Sequence, residues 1–190
     1  MSFAAGGDLC LGFWARCWDA GLVPLPQGAR VIEIGCAEAD WLTPMQAERP
    51  DLVLTGVDWR HVTAKAGMRI IRGDVLALDF PSASFDAVVA VSAIEHIGLG
   101  AYDNDPRDAD GDTHCMERVR EWLVPGGLVY LDVPYRPDGP HTTNGNFRAY
   151  APDTLSRLIV PGLVEQARYL VSDSGHGDGP YLALVLRKDT

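Results

Sequence analysis

ARVIEIGCAEADW, residues 29–41, is the stretch that decides the fold. Ala29 to Gly35 is a short apolar run closed by a glycine, the pattern of a strand buried on both faces of a parallel sheet. DWLTPMQAER (Asp40 to Arg49) then has helical spacing, with Pro44 acceptable only inside the first turn. A buried strand, a glycine turn and a helix N-terminus in that order let backbone approach a ligand closely and favour negative charge there.

The alternation continues outward. LVLTGV (Leu52 to Val57), MRIIRG (Met68 to Gly73) and FDAVVAVS (Phe85 to Ser92) read as further strands. THCMERVREWL (Thr113 to Leu123) reads as a helix stopped by Pro125-Gly126-Gly127, and GLVYLDVP (Gly127 to Pro134) as a fifth strand. Pro152 and Asp153 open a short helix through Leu158. LVEQARYLV (163–171) and YLALVLR (181–187) are two more strands, joined by only nine residues. That loop is too short for a crossover helix, so the two run antiparallel. Upstream, Leu9, Phe13, Trp14, Cys17 and Trp18 fall at helical spacing, ended by Pro24 and Pro26.

The pattern is that of a doubly wound α/β protein with a mostly parallel sheet and helices on both faces. One domain is expected over residues 1–190, with an N-terminal helical segment at 1–26 and a core at 29–187. Between Asp58 and Met68 there is room for barely two helical turns. One helical layer should therefore be thin there, covered by the N-terminal helix or by a second subunit in a homodimer.

Composition narrows the classes. The chain has 190 residues, 47% hydrophobic and 22% charged, which excludes disorder. Lys and Arg number 16 against 26 Asp and Glu, a net charge of −10, so no general attraction for nucleic acid or anionic membranes is expected. Arg60, Lys65, Arg69 and Arg72 are too sparse to reverse that balance. The opening residues lack the basic region of a targeting signal, and no apolar run approaches the roughly 20 residues of a membrane span. Cys10, Cys17, Cys36 and Cys115 show no CxxC pairing and read as reduced, buried side chains. A soluble, cytoplasmic protein is expected.

In an open α/β sheet, ligands bind beyond the carboxyl ends of the strands. Those ends present Glu33, Gly35 and Cys36, then Asp58 and Trp59, then Asp74 and Val75, then Ser92, Glu95 and His96. Asp58, 23 residues after Gly35, suits a carboxylate accepting ribose hydroxyls. Trp59 offers a flat face for an adenine, and Asp74 an acceptor for its exocyclic amine. A dinucleotide is the rival ligand, but a GxGxxG turn would place glycines where Ala37 and Asp40 stand. A carboxylate near a pyrophosphate is repulsive.

These segments closely resemble the class I S-adenosylmethionine-dependent methyltransferases. VIEIGCAEADW is similar to that family's first motif, LTGVDW to its second, and IRGDVLALDFPSASFDAVVAVSAIEHIG to its third and fourth run together. VREWLVPGGLVYLDVP resembles the approach to the fifth strand, and FRAYAPDTLSRLI a segment of the methyltransferase-11-like branch. The resemblance covers residues 29–187 and implies a Rossmann-like seven-stranded sheet of order 3-2-1-4-5-7-6 with the last strand antiparallel. It implies S-adenosyl-L-methionine as cofactor. Glu33 and Gly35, with Cys36 and Ala37, would hold the methionine end, and Asp58 the ribose. Trp59, Asp74 and Val75 would hold the adenine, and Ser92 would run past the sulfonium. The chain departs from the family at Ala37 and Ala39, where glycines are usual. Each methyl narrows the cofactor's space. That points to weaker binding and supports a second reading, a methyltransferase-like binding or partner protein without turnover.

Glu95 and His96 would flank the transferred methyl. His96, with an unperturbed pKa near 6.5, is the candidate base for a hydroxyl acceptor. The pair also reads as a structural cap of the strand end or, with His141, as three ligands of a divalent metal. In the metal reading Ser92 stands where an acidic ligand is usual. His141, Asn144, Asn146, Arg148 and Tyr150 share one loop. His141, Arg148 and Tyr150 are the acceptor-contact candidates, for a small polar or glycan-like molecule methylated on oxygen or, next, nitrogen. AYDNDPRDADGD (101–112), with five Asp and one Arg, reads as a solvated lid that disfavours anionic acceptors. His61, His114 and His176 carry no assigned role.

Overall fold

The structure is a computed structural model that describes residues 25–37, 42–63, 67–102, 105–143, 145–171 and 180–190. The N-terminal helix, Ala39, Asp40, Asn144 and His176 lie outside the described residues. In chain order the elements are β1 (Arg30–Ile34), α1 (Leu42–Glu48), β2 (Val53–Asp58), β3 (Met68–Arg72) and β4 (Phe85–Val91). Then follow α2 (Gly111–Trp122), β5 (Leu123–Pro134), a ribbon of β6 (Thr142–Thr143) and β7 (Arg148–Ala149), β8 (Leu163–Val171) and β9 (Tyr181–Lys188). No helix among the described residues is long and apolar enough to cross a membrane.

Seven strands form one sheet in the order β3-β2-β1-β4-β5-β9-β8. The first five are parallel, and β9 runs antiparallel to both β5 and β8. This is the expected 3-2-1-4-5-7-6 order, with the short ribbon as an addition. The central strands are apolar on both sides, as a sheet covered on two faces requires. Ile32, Val88, Leu131 and Leu184 point to one face and meet Met116, Val119 and Trp122 of α2. Val31, Val89, Tyr130 and Val185 point to the other. The α2 residues Cys115, Met116, Val119 and Trp122 recur at helical spacing and are all buried. Trp122 closes that layer against Phe80, edge to face at 5.0 Å.

Three elements differ from expectation. The Thr113–Leu123 helix ends at Trp122, and the fifth strand begins at once, at Leu123, not at Gly127. Leu123 pairs with Phe85, and Gly126 at φ +77° lets the strand recover register at Leu128 opposite Ala87. The expected helix from Pro152 is a single 3-10 turn, Leu155–Leu158. Between Asp58 and Met68 the described residues, 59–63 and 67, form no helix. In α1, Pro44 does fall in the first turn.

Candidate functional site

The carboxyl ends of β1, β2 and β4 lie side by side in the sheet, so the residues that follow them share one edge. Gly35 turns out of β1 at φ +81°, and a Cβ there would stand 2.7 Å from the Ala93 Cβ. Glycine is therefore required twice over, by conformation and by space. Glu33 is fully buried on β1, as is Cys36 beyond the turn. Ala37 adopts no left-handed φ, so its methyl demands no backbone strain, and its N–H donates to Asp58 Oδ2 at 2.9 Å.

Asp58 ends β2 almost fully buried. Besides the Ala37 N–H, it accepts the Arg60 N–H at 2.8 Å and the Arg60 guanidinium through Nε at 3.1 Å and Nη2 at 3.2 Å. The guanidinium also lies 4.7 Å from the centre of the Tyr102 ring. Trp59 is half-buried beside them. After β3, Asp74 Oδ1 accepts the Leu76 N–H at 2.9 Å and fixes a turn. The Val75 side chain enters the core.

At the end of β4 the backbone is strained. Ser92 has φ +45°, uncommon for a residue with a side chain. Two carboxylates restrain it: Asp132 of β5 accepts the Ser92 N–H at 2.6 Å, and Glu95 accepts the Ser92 hydroxyl at 2.8 Å. Glu95 is fully buried, and its Oε1 lies 3.7 Å from His96 Nε2. The other ring nitrogen of His96 is 2.5 Å from the Asn146 carbonyl oxygen. Tyr102 and Phe147 flank this ring with centroids at 6.0 and 6.5 Å. Near His96, burial and the Asp74 charge hold the Asp105 carboxyl above its usual range, and His96 opposes them.

The structure gives Arg148 and Tyr150 work other than acceptor contact. Arg148 is 2% exposed, and its guanidinium donates to the carbonyls of Glu95, Ile97, Asp108 and Ala109. The Tyr150 hydroxyl donates to Asp112 at 2.8 Å, and burial, then that carboxylate, push it far above the usual phenol range. Both residues stitch the 95–112 segment onto the body. The acidic 101–112 segment stays exposed at Pro106, Arg107, Ala109 and Asp110, but three of its carboxylates are paired. Asp108 is held by His114 at 2.6 Å, Asp110 and Asp112 by Arg157 at 2.9 and 3.2 Å. His141 packs on Tyr150 and meets Thr143 and Thr154 at 3.2 and 3.3 Å. Burial, then Arg157, lowers its pKa. Among the described residues no three His, Cys, Asp or Glu side chains converge on a metal position, so Glu95, His96 and His141 do not form one.

Arg60, Tyr102, Asp105 and Asp132 belong to this edge, and the sequence reading gave none of them a site role. Only Asp132 carried a signal, a carboxylate inside an apolar strand.

The family described as Caenorhabditis protein of unknown function, DUF268, matches residues 75–160, less than half of the chain. A demethylmenaquinone methyltransferase of Listeria welshimeri is 27% identical over 146 residues, covering 69% of this chain. The chain spans 57% of that relative's length. Among solved structures, Burkholderia thailandensis 1,6-didemethyltoxoflavin-N1-methyltransferase with bound 1,6-didemethyltoxoflavin and S-adenosylhomocysteine superposes with TM-score 0.66 at 15% identity, covering 100% of this chain and 94% of that one. The cyclase SpnF superposes with TM-score 0.72 at 15% identity, over 93% of this chain and 80% of its own. These likenesses concern the fold, and one of the two solved proteins is named for a different reaction.

Proposed function

We propose that this chain, which has the fold of the class I S-adenosylmethionine-dependent methyltransferases, binds S-adenosylmethionine and transfers its methyl group to an oxygen or nitrogen of a small polar or glycan-like acceptor. The observation that carries the reading is the edge formed by Gly35, Asp58, Asp74 and Ser92 at the carboxyl ends of β1 to β4. The Listeria relative's name and the cofactor product held by the Burkholderia enzyme support it.

The residues fit the cofactor. Gly35 turns sharply at the end of β1, where the Ala93 methyl leaves no room for a side chain, and Asp58 supplies a buried carboxylate for a ribose diol. Glu33 and the backbone of Gly35 to Ala37 would hold the methionine end, Asp58 the ribose, and Trp59, Asp74 and the Val75 backbone the adenine. When bound, the cofactor supplies an electrophilic methyl on a sulfonium, so the protein's part is orientation and proton removal.

His96 is the group placed to take the acceptor's proton, on Nε2. Its Nδ1 side faces the Asn146 carbonyl oxygen, which fixes Nδ1 as the protonated nitrogen in the neutral ring. Glu95, 3.7 Å from Nε2, stabilises the cation formed when that nitrogen accepts a proton. Tyr102 and Phe147 flank the imidazole and limit its orientations. Arg60 has to leave Asp58 for the diol to enter, because the carboxylate's acceptor positions are filled.

The test is calorimetry with S-adenosylmethionine and S-adenosylhomocysteine on the whole chain. Saturable binding of both is expected, weakened by about 1–3 kcal/mol in Asp58→Ala. A folded protein that binds neither overturns the reading. Binding without methylation of any acceptor in an extract supplied with labelled cofactor would favour the partner-protein reading.

A further inference from the structure

Among the described residues four large apolar side chains are exposed, and three of them, Val164, Tyr169 and Leu170, lie on β8. This strand ends the sheet beyond β9, so its outer backbone edge faces no strand among the described residues. It is nine residues long and has no proline. An apolar edge of that length is a template for another strand.

The strand is also its own complement. In Leu163-Val164-Glu165-Gln166-Ala167-Arg168-Tyr169-Leu170, the sequence against its own reverse sets leucine on leucine, valine on tyrosine and glutamate on arginine. In a regular strand that register is forbidden. Residues five apart point to opposite faces, whereas residues directly opposite each other in a ladder share a face. The bulge in β8 removes the obstacle. Glu165 pairs with Leu186 and Ala167 with Val185, so two steps along β8 answer one along β9. Leu163, Glu165, Arg168 and Leu170 pair with Lys188, Leu186, Leu184 and Leu182, which puts all four on one face. Val164, Ala167 and Tyr169 pair with Arg187, Val185 and Ala183, on the other. Each residue and its complement thus lie on the same face.

We infer that β8 is the interface of a two-fold dimer, in which the same strand of a second copy lies antiparallel beside it and joins two seven-stranded sheets into one. Val164 faces the partner's Tyr169, and Glu165 faces the partner's Arg168. Within one chain Glu165 and Arg168 already form two hydrogen bonds of 2.6 Å, so the dimer gathers four charges of alternating sign. Gln166 and Ala167 sit on the two-fold axis, where the bulge interrupts pairing, and the flanking residues carry the ladder. One strand edge falls at the small end of interfaces, below about 1,200 Å², so the dimer dissociates on dilution. The inference is independent of any cofactor.

Sedimentation equilibrium on the whole chain, from micromolar to submillimolar concentration, tests it. A reversible monomer–dimer equilibrium is expected, and a monomer throughout overturns the inference, whatever other protein the chain binds. Val164→Arg/Tyr169→Arg sets like charges opposite each other at both positions and should give a monomer. Val164→Arg/Tyr169→Glu sets opposite charges there and should restore the dimer. A dimer that survives the first pair, or that neither pair alters, overturns the interface. Amide exchange on the unmodified chain needs no variant: protection of residues 163–170 should rise with protein concentration, and constant protection overturns the interface as well.

Discussion

A carboxylate offers about four lone-pair positions, and Asp58 already meets four donors, three of them from Arg60. Ribose binding must therefore displace a cation, and Arg60→Met should tighten the affinity for S-adenosylhomocysteine, by about 3–10-fold if the displaced contacts are worth about 1 kcal/mol net. Unchanged or weaker affinity by calorimetry would assign Arg60 a different role. His96→Asn keeps a polar donor near the Nδ1 position without the base; kcat should fall about 100-fold or more, with cofactor affinity intact. A parallel loss of cofactor binding would make His96 a strand-end cap instead. Asp58, Asp74, Glu95 and His96 are legible because strand ends in an open sheet are marked by the pattern itself. Arg60 and Tyr102 are not, since their meeting depends on side-chain directions across two separate loops.

At the level of elements, the 95–112 segment looks like a free acidic loop in sequence and is a stitched one in structure. Donors and acceptors can be read from residue types, but burial cannot, and burial is what turns Arg148 and Tyr150 inward. Arg148→Met should lower stability by about 2–4 kcal/mol, because it strips four carbonyls of a donor and Asp112 of a cation. An acceptor role predicts a raised KM at unchanged melting temperature, so chemical denaturation and kinetics together separate the two. The His114–Asp108 pair gives the segment a pH dependence. The hydrogen bond to Asp108 holds His114 above its ordinary 6.5, and the same bond holds Asp108 below its ordinary 3.8. The His114 contribution is complete below pH 6.5 and is lost as pH rises through the raised value. The Asp108 contribution is complete above pH 3.8 and is lost as pH falls through the lowered one. Between those limits the segment is tightest, and His114→Gln should flatten the alkaline side of a melting temperature–pH curve by a small amount.

For the whole molecule, loop length was only a partial guide to strand direction. Nine residues join the antiparallel pair β8 and β9, and nine also join the parallel pair β2 and β3, so the full strand order came from the motif resemblance rather than from spacing. What stayed hidden was local: the early start of β5, the two-residue ribbon and the bulge in β8, each set by contacts between distant residues. Cofactor at 100 times its Kd should stabilise the fold by about 2.7 kcal/mol, a rise in melting temperature of about 5–10 °C. No shift with saturating S-adenosylhomocysteine would contradict binding at the strand ends.

Strand β9 is inserted between β5 and β8, which precede it in the chain. During synthesis β5 therefore waits with a bare inner edge while the 54 residues from Tyr135 to Lys188 are added. At the roughly 5–20 residues per second of translation, that interval lasts about 3–11 s. The middle of the sheet is exposed to stray pairing for that time, and protection by a nascent-chain chaperone should matter most in those seconds.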